Sequence, residues 1–428
     1  MYCGWRLNAG EIVMRGLTRE QEIFLKVTRA YVGEERPDIS FRFAFDGVPQ
    51  PVVGSGSRIV DVSFHNAERL FQRIFREGNM GLGEGYSEGL IEVNDEDYKE
   101  FLCICVYATS PRILRRLSIF DMIAAIRARG GGYFAKPREN ATIDNHYSLS
   151  DWFDNDDDSN KFFHYWLDRV HHMYSCGKWD PETKTLQDAE TNKLEFYAKR
   201  MGIDESSRGK ALLDLGCGWG GVLFFMAERF GVRAKGLTLS AAQHRYITKE
   251  ITRRHLQDLV TVELRNVHDM EGQYDYIISI GMLEHISDYE DLYKKTAGAL
   301  NPGGQALMHS IYSEAWFYRP DRWFLKYIFP YGSCPNFSSN MRCFRKYFNV
   351  VEPMKLPYLS YPKTLDAWFA NFCNAEPQIR ELLQRNSKVK DVDFAIRTFK
   401  HYLAIASVSL TFSGFVGNTL LKEPRVQS

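Results

Sequence analysis

An α/β fold with a mostly parallel sheet, preceded by a smaller α+β module, is what this sequence predicts, on three observations. Strand-like runs at residues 211–215, 233–237, 260–264, 274–280 and 305–310 alternate with stretches of helical length, the order of successive βαβ units. The first of these strands runs directly into a glycine-rich turn and then an apolar helical pattern, LLDLGCGWGG followed by VLFFMAERF. Upstream, short strand-like segments and helical patterns end at three consecutive glycines, Gly130 to Gly132, which read as a joint. Right-handed crossovers would place helices on both faces of the large sheet and ligands at the carboxyl ends of its strands.

The 428 residues, 44% hydrophobic and 25% charged, suffice for two or three packed domains. Lysine plus arginine and aspartate plus glutamate both number 54. That balance lacks the excess that drives counterion release, so no nucleic-acid partner is expected. The eight cysteines show neither paired CxxC spacing nor the density of a disulfide scaffold, which fits reduced thiols in a cytoplasm and no metal centre. The amino-terminal stretch MYCGWRLNAGEIVMRG lacks the apolar core and cleavage site of a secretory signal, so export is not expected. Residues 402–421 form an uncharged run of nearly spanning length, but it carries three Ser, two Thr, two Gly and an Asn. Strict alternation from Ala406 to Phe412 predicts a half-buried strand there instead.

Residues 1–110 form the α+β module, with a helix over 18–32, strand-like runs around turn residues over 41–60 and a helix over Ala67–Glu77. The glycines of the following GNMGLGEGYSEG fit neither a GxGxxG turn after a strand nor a Walker lysine, and read as backbone geometry. Residues 111–140 form a basic helical linker. Within it Pro111 suits the first helical turn, and Leu114, Leu117, Met122 and Ile126 recur among five arginines. That periodicity serves equally a helix lying on an anionic lipid surface and one packed on a neighbouring domain. Residues 141–428 form the large domain. Its acidic run from Asp154 to Asp158 reads as a solvated loop, without the spaced ligands and turn glycine of a calcium site.

The glycine-rich turn carries the chemistry. Gly216, Gly218 and Gly220 let a ligand approach the main chain, and the next helix offers unpaired N–H groups and a positive dipole end. With Asp214 two residues earlier, GCGWGG resembles motif I of the class I methyltransferases that use S-adenosylmethionine (SAM), which implies a Rossmann-like carboxyl-terminal domain. A dinucleotide enzyme would carry an acidic residue about 20 positions on. This chain instead has Thr238, Ser240 and Gln243, whose hydroxyl and amide groups suit the ribose and methionine portions of SAM.

Thr-x-Ser at that place is similar to the cyclopropane-fatty-acid synthase family, and the likeness spreads over nearly the whole chain. The family's signatures resemble Gly81 to Gly89 (GLGEGYSEG), His146-Tyr147, Tyr174-Ser175-Cys176, Gly281 to His285 (GMLEH), Met308 to Ile311 (MHSI), Tyr327 to Pro330 (YIFP) and Tyr361 before Thr364-Leu365. The resemblance implies SAM-dependent methylation of the cis double bond of an unsaturated phospholipid acyl chain, followed by loss of a proton and ring closure. It implies bicarbonate as the base, held by Cys176, Glu284, His309, Tyr361 and the backbone of Ile311. Each taken singly also fits an ordinary buried side chain, a packed thiol, a satisfied polar pair or a hydrogen-bonded tyrosine. Convergence of the five near the SAM methyl group is what would distinguish the two.

By the same resemblance Tyr174, Ser175, Gly216, Cys217, Gly218, Trp219, Gly220, Thr238, Ser240, Gln243 and Asn266 surround SAM, Trp219 shaping the pocket. Trp316, Phe317, Trp323 and Phe324 serve equally an acyl channel or a packed lid. The amino-terminal module becomes lipid-associated, the expected location is peripheral on the cytoplasmic face of the inner membrane, and a homodimer is admitted although the sequence offers no interface for one. Ser148 replaces the family's Asp, Asn266 stands where Asp is common, and about ten extra residues lie between His146 and Tyr174. Two alternatives stay open: a methylene- or methyl-branched product, and a catalytically silent SAM-fold lipid-binding protein, which should show erosion of motif I or of the anion ligands. A small-amine methyltransferase ranks below both.

Overall fold

The computed structural model describes residues 16–108, 156–314, 321–330, 332–412 and 415–422. The chain divides into two compact units, one of residues 1–145 with Asp393–Val408, the other of residues 146–392 with 409–428.

The first unit opens with α1 (Arg19–Glu34), started by a capping box in which Thr18 and Gln21 satisfy each other's backbone amides. Strands β1 (Ile39–Phe45), β2 (Val48–Pro49) and β3 (Arg58–Phe64) precede α2 (Ala67–Glu77), α3 (Asn79–Ser87), β4 (Ile91–Val93) and α4 (Asp95–Tyr107). The sheet order is β2-β1-β3-β4, with β1 and β3 parallel. Phe24, Phe43, Phe64 and Phe71 pack edge to face at its centre, Phe64 and Phe71 with centroids 5.0 Å apart. The glycine-rich segment folds as α3. A Cβ at Gly81 would stand 2.6 Å from the carbonyl oxygen of Arg73, so glycine lets α3 lie directly on the backbone of α2.

The second unit runs α5 (Asp156–His164), α6 (Leu186–Arg200), β5 (Ala211–Leu215), α7 (Gly221–Phe230), β6 (Arg233–Thr238), α8 (Ala241–Arg253), β7 (Val260–Leu264) and β8 (Tyr274–Ile280). It continues with α9 (Tyr289–Gly298), β9 (Leu300–Tyr312), α10 (Arg322–Tyr327), α11 (Phe337–Tyr347), β10 (Asn349–Val350), β11 (Met354–Lys355), α12 (Ser360–Asn374) and α13 (Glu376–Gln384). The strand order is β10-β12-β9-β8-β5-β6-β7, where β12 (Phe415–Lys422) follows α14 (Val392–Phe412) and β11 pairs with β12. From β7 to β9 the ladders are parallel, while β12 closes on β9 antiparallel, so that the five expected strands are present and three more, β10, β11 and β12, are added. The chain builds outward from β5 to β7, then returns to β8 on the other side. That reversal makes the carboxyl ends of β5 and β8 the topological switch point, where ligands bind in open α/β sheets. Alternation along β5 sends Leu212 to one apolar layer and Leu213 and Leu215 to the other.

Two expectations are corrected. Ala406–Phe412 lies in α14, not in a strand, because a helix buried nearly all round, from Ala395 to Val408, shows no polar stripe to set its period. The acidic run is not wholly a loop either, since α5 begins at Asp156, a helix start that favours acidic residues. Gly130 to Gly132, the basic linker helix, His146, Tyr147, Trp316 and Phe317 lie outside the described residues. Among the described residues no helix is long and apolar enough to cross a membrane.

Candidate active site

The glycine-rich turn sits at the switch point. Gly216, Gly218 and Gly220 all adopt left-handed backbone, with φ of 80°, 54° and 85°. The amides of Gly216 and Cys217 donate to the carbonyl of Leu237 at 3.1 and 2.9 Å, tying the turn to the end of β6. A Cβ on Gly218 would meet nothing within 4 Å, whereas one on Gly216 would stand 2.8 Å from Met282. The turn therefore has one packed side and one open side, and the open side leads to the amino terminus of α7. An extended nucleoside with an amino-acid tail fits such a cradle, because the main chain can be reached and the helix end favours a carboxylate.

Around it, Thr238 Oγ1 donates to Gln243 Oε1 at 2.7 Å and accepts from the Ser240 amide at 3.0 Å. Ser240 caps α8 through the Gln243 amide. These three side chains fold the β6–α8 turn, which follows the strand end to which the glycine-rich turn is tied. Asn266, exposed at the end of β7, accepts from the His268 amide at 2.9 Å and starts a single 3-10 turn. Trp219 is buried among Phe163, His164 and Tyr246, with centroids 5.3 to 5.6 Å away. The Cys217 thiol is packed against Gly236, where a Cβ would come within 2.7 Å of the sulfur, so its backbone rather than its side chain belongs to the cradle. Tyr174 stands in an aromatic box formed by Phe163, Trp166 and Trp368, 5.3 to 5.5 Å between centroids.

The second cluster surrounds the end of β9. Glu284, in the 3-10 turn Leu283–His285 after β8, accepts at Oε1 from the Ile311 amide at 2.7 Å and from Ser310 Oγ at 2.8 Å. Its other oxygen, Oε2, is buried without a hydrogen-bond partner. Burial raises the carboxyl's pKa, opposed by the bond from Ile311. His309 and Ile311, two apart on β9, share a face of the sheet. His309 is 2% exposed, its Nδ1 pairs with the Tyr197 hydroxyl, and burial pushes its pKa down to about 3, so the ring is neutral.

Cys176 is buried, its Sγ 3.2 Å from the Gly177 carbonyl, and burial raises its pKa, holding it as the thiol. Cys176 packs with Leu356 and Val416, and Ile311 and Tyr361 pack on the same cluster. Tyr361, half-buried in the first turn of α12, also lines a cavity of 410 Å³ with Leu356, Leu410, Phe415 and Val416, whose rim carries the Lys355–Glu314 ion pair. Cys176, Ile311 and Tyr361 are thus in one cluster, with His309 on the same strand face and Glu284 on the Ile311 amide. A buried carboxyl with one oxygen unpartnered and its pKa raised by burial, a buried thiol and a neutral imidazole are brought to the end of one strand, where a small polar species could find both donors and acceptors. The Ile311 amide itself is engaged by Glu284.

Helix α6 adds three residues that motif reading passed over. Its buried positions recur with helical period from Leu186 to Ala198, and that face includes Glu190, Lys193 and Tyr197. Charged residues in register with Leu186 and Leu194 on an apolar face were the available signal. Asp214 is also buried, and desolvation raises its pKa to about 7. Trp323 packs fully buried against Phe324 and Tyr327.

A family model described as mycolic acid cyclopropane synthetase matches residues 136–413. The cyclopropane-fatty-acyl-phospholipid synthase of Escherichia coli (strain K12) is 29% identical over 354 residues, covering 82% of this chain and 84% of its own. A probable fatty acid methyltransferase of Pseudomonas putida is 30% identical over 227 residues, 51% of this chain and 57% of its own. Among solved structures, a mycolic acid cyclopropane synthase complexed with SAH and CTAB superposes with a TM-score of 0.56 at 24% identity, covering 64% of this chain and 98% of that one. Coclaurine N-methyltransferase bound to N-methylheliamine and SAH superposes with a TM-score of 0.59 at 22% identity, covering 80% and 98%. These superpositions establish the fold, the class I methyltransferase α/β architecture that the glycine-rich motif predicts.

Proposed function

The chain belongs to the mycolic acid cyclopropane synthetase family, and on that premise we propose that it is a SAM-dependent methyltransferase that converts the cis double bond of an unsaturated phospholipid acyl chain to a cyclopropane. The observation that carries this reading is Glu284, a buried carboxyl with one oxygen on Ile311 and Ser310 and the other unpartnered, held at the strand that also carries the neutral His309. SAM supplies an electrophilic methyl group on a sulfonium. Gly216, Gly218 and Gly220 let it reach the main chain, Ser175, Thr238, Ser240 and Gln243 offer polar contacts, and Tyr174 and Trp219 supply ring faces that attract its cationic centre. Cys176, Glu284, His309, Tyr361 and Ile311 would hold bicarbonate, which would supply the base for the transferred carbon.

The alkene is a weak nucleophile and the cation it becomes is destroyed by water, so the site has to be dry. Leu356, Phe415 and Val416 beside Tyr361 give the cavity an apolar wall suited to an acyl chain. Residues 1–110 would be the lipid-associated module, 111–140 its basic linker and 141–428 the catalytic domain. The protein would act peripherally on the inner leaflet, with a homodimer as its assembly. A methylene- or methyl-branched product is the second reading, favoured by the likeness to the Pseudomonas putida protein.

The test is mass spectrometry of cis-unsaturated phospholipid vesicles incubated with SAM and the protein, with Glu284→Gln and Cys176→Ala alongside. Acyl chains should gain one CH₂, and derivatisation separates a ring from a methylene. SAM binding without any such gain would overturn the lipid reading and leave a small-molecule acceptor or a silent SAM-fold protein.

A further inference from the structure

The most unusual charges in the second unit are Glu190 and Lys193, an ion pair on α6 whose two side chains have no exposed surface. Burying such a pair usually stabilises a fold no more than apolar groups of the same volume would, so its presence calls for another role. The second partner of the ammonium supplies one. Lys193 Nζ donates to Ser175 Oγ at 2.8 Å. Glu190 lies against the next turn of that segment, since a Cβ on Gly177 would come 3.2 Å from its Oε1. The pair therefore underlies residues 175 to 177.

An ammonium has donors only, so the Ser175 oxygen must accept from it, which leaves the hydroxyl proton to be given to something else. Lys193 thus makes Ser175 an outward donor. Its field also bears on the neighbouring groups, favouring the ionised form of Cys176 and disfavouring protonated His309. Burial raises the carboxyl of Glu190, so the positive charge is only partly offset. A hydroxyl committed to donating, backed by a buried cation, selects an anionic acceptor.

Resting on the reading of SAM as the methyl donor, we propose that Lys193 is a positioning residue: held by Glu190, it orients Ser175 to bind the carboxylate of the amino-acid half of SAM. Neither Lys193 nor Glu190 touches the cofactor. Their effect passes through one hydroxyl.

Lys193→Met alone would strand a buried carboxyl and risks misfolding, so the test uses the neutral pair Glu190→Gln/Lys193→Met, compared with Ser175→Ala and the triple variant. Melting temperature reports folding, and calorimetry reports affinity for SAM and for decarboxylated SAM, which lacks only the carboxylate. Ser175→Ala and the neutral pair should each weaken SAM about tenfold, the size expected for a lost charge-assisted bond. The triple variant should be no weaker than either, and decarboxylated SAM should bind all four proteins within about twofold, because the polar contact it lacks is the only one removed. A folded neutral pair that binds SAM like the wild type overturns the proposal. So do losses that multiply in the triple variant, or equal losses for both ligands. A wild-type protein that binds neither ligand overturns the SAM reading together with it.

Discussion

His309 provides the sharpest quantitative check on the site. Its pKa falls from 6.5 to about 3 because the ring is fully buried, with the Tyr197 hydroxyl on Nδ1. In the unfolded chain the ring titrates near about 6.5. Between these values the unfolded state binds the extra proton, so the stability that comes from keeping His309 neutral is fully present above 6.5 and is lost as pH falls. Moving from about pH 7.5 to about pH 5.5, one unit below the unfolded value, should remove about 1.4 kcal/mol. Asp214, whose pKa is raised to about 7, titrates with the opposite sign, since its stabilising contribution grows as pH falls from that value. Comparison with His309→Asn separates the two, because Asp214 is common to both proteins. Urea denaturation followed by tryptophan fluorescence at the two pH values gives the wild-type-minus-variant difference, which should shrink by about 1.4 kcal/mol at the lower pH. A difference that is the same at both would refute a neutral, buried His309.

Three further outcomes follow from the same geometry. Glu284→Gln keeps an oxygen for the Ile311 amide and Ser310 but cannot ionise or donate as an acid, so product formation should fall by about 10²-fold or more while SAM affinity stays within a few-fold. Loss of SAM binding in a folded variant would contradict that role. Gly218→Ala introduces a Cβ at φ 54° with nothing within 4 Å to strike, so about 1–2 kcal/mol of backbone strain should appear as a lower melting temperature and weaker SAM binding. Gly81→Ala drives a Cβ to 2.6 Å from the Arg73 carbonyl, and separating α2 from α3 should cost about 1–3 kcal/mol in urea titrations without changing SAM affinity.

The sequence makes the parallel sheet legible because strand propensity, glycine punctuation and helix period agree at every step from Ala211 to Tyr312. Of the residues that the family resemblance implies, Cys176, Ile311 and Tyr361 fall in one apolar cluster, with Glu284 on the Ile311 amide and His309 on the same strand. The failures have one physical origin. A helix as thoroughly buried as α14 has no solvent-facing stripe, so Ala406–Phe412 reads as alternation, and β12 disappears into the same uncharged run. Helix α6 errs the other way: its charges look solvated until the fold turns Glu190 and Lys193 inward, because their partner Ser175 lies 18 residues away in sequence, beyond any periodic pattern. Side chains that serve local turns, such as Asn266 on His268, are equally silent in sequence, since an Asn that caps a turn and an Asn that binds a ligand are the same letter.

The two-part first unit has a consequence for synthesis. His401 in α14 bonds to Tyr98 and Asn79, and Lys400 to Asp95, so the amino-terminal residues complete their core only with a helix from near the other end of the chain. At about 5–20 residues per second, ribosomes need roughly a quarter of a minute to a minute to make what lies between. Throughout that interval the buried face of α4 waits without its partner, and the outer edge of β9 waits likewise for β12. Neither unit is therefore finished until the stretch from α14 to β12 is made, and a nascent-chain chaperone would find open apolar surface on the amino-terminal unit throughout.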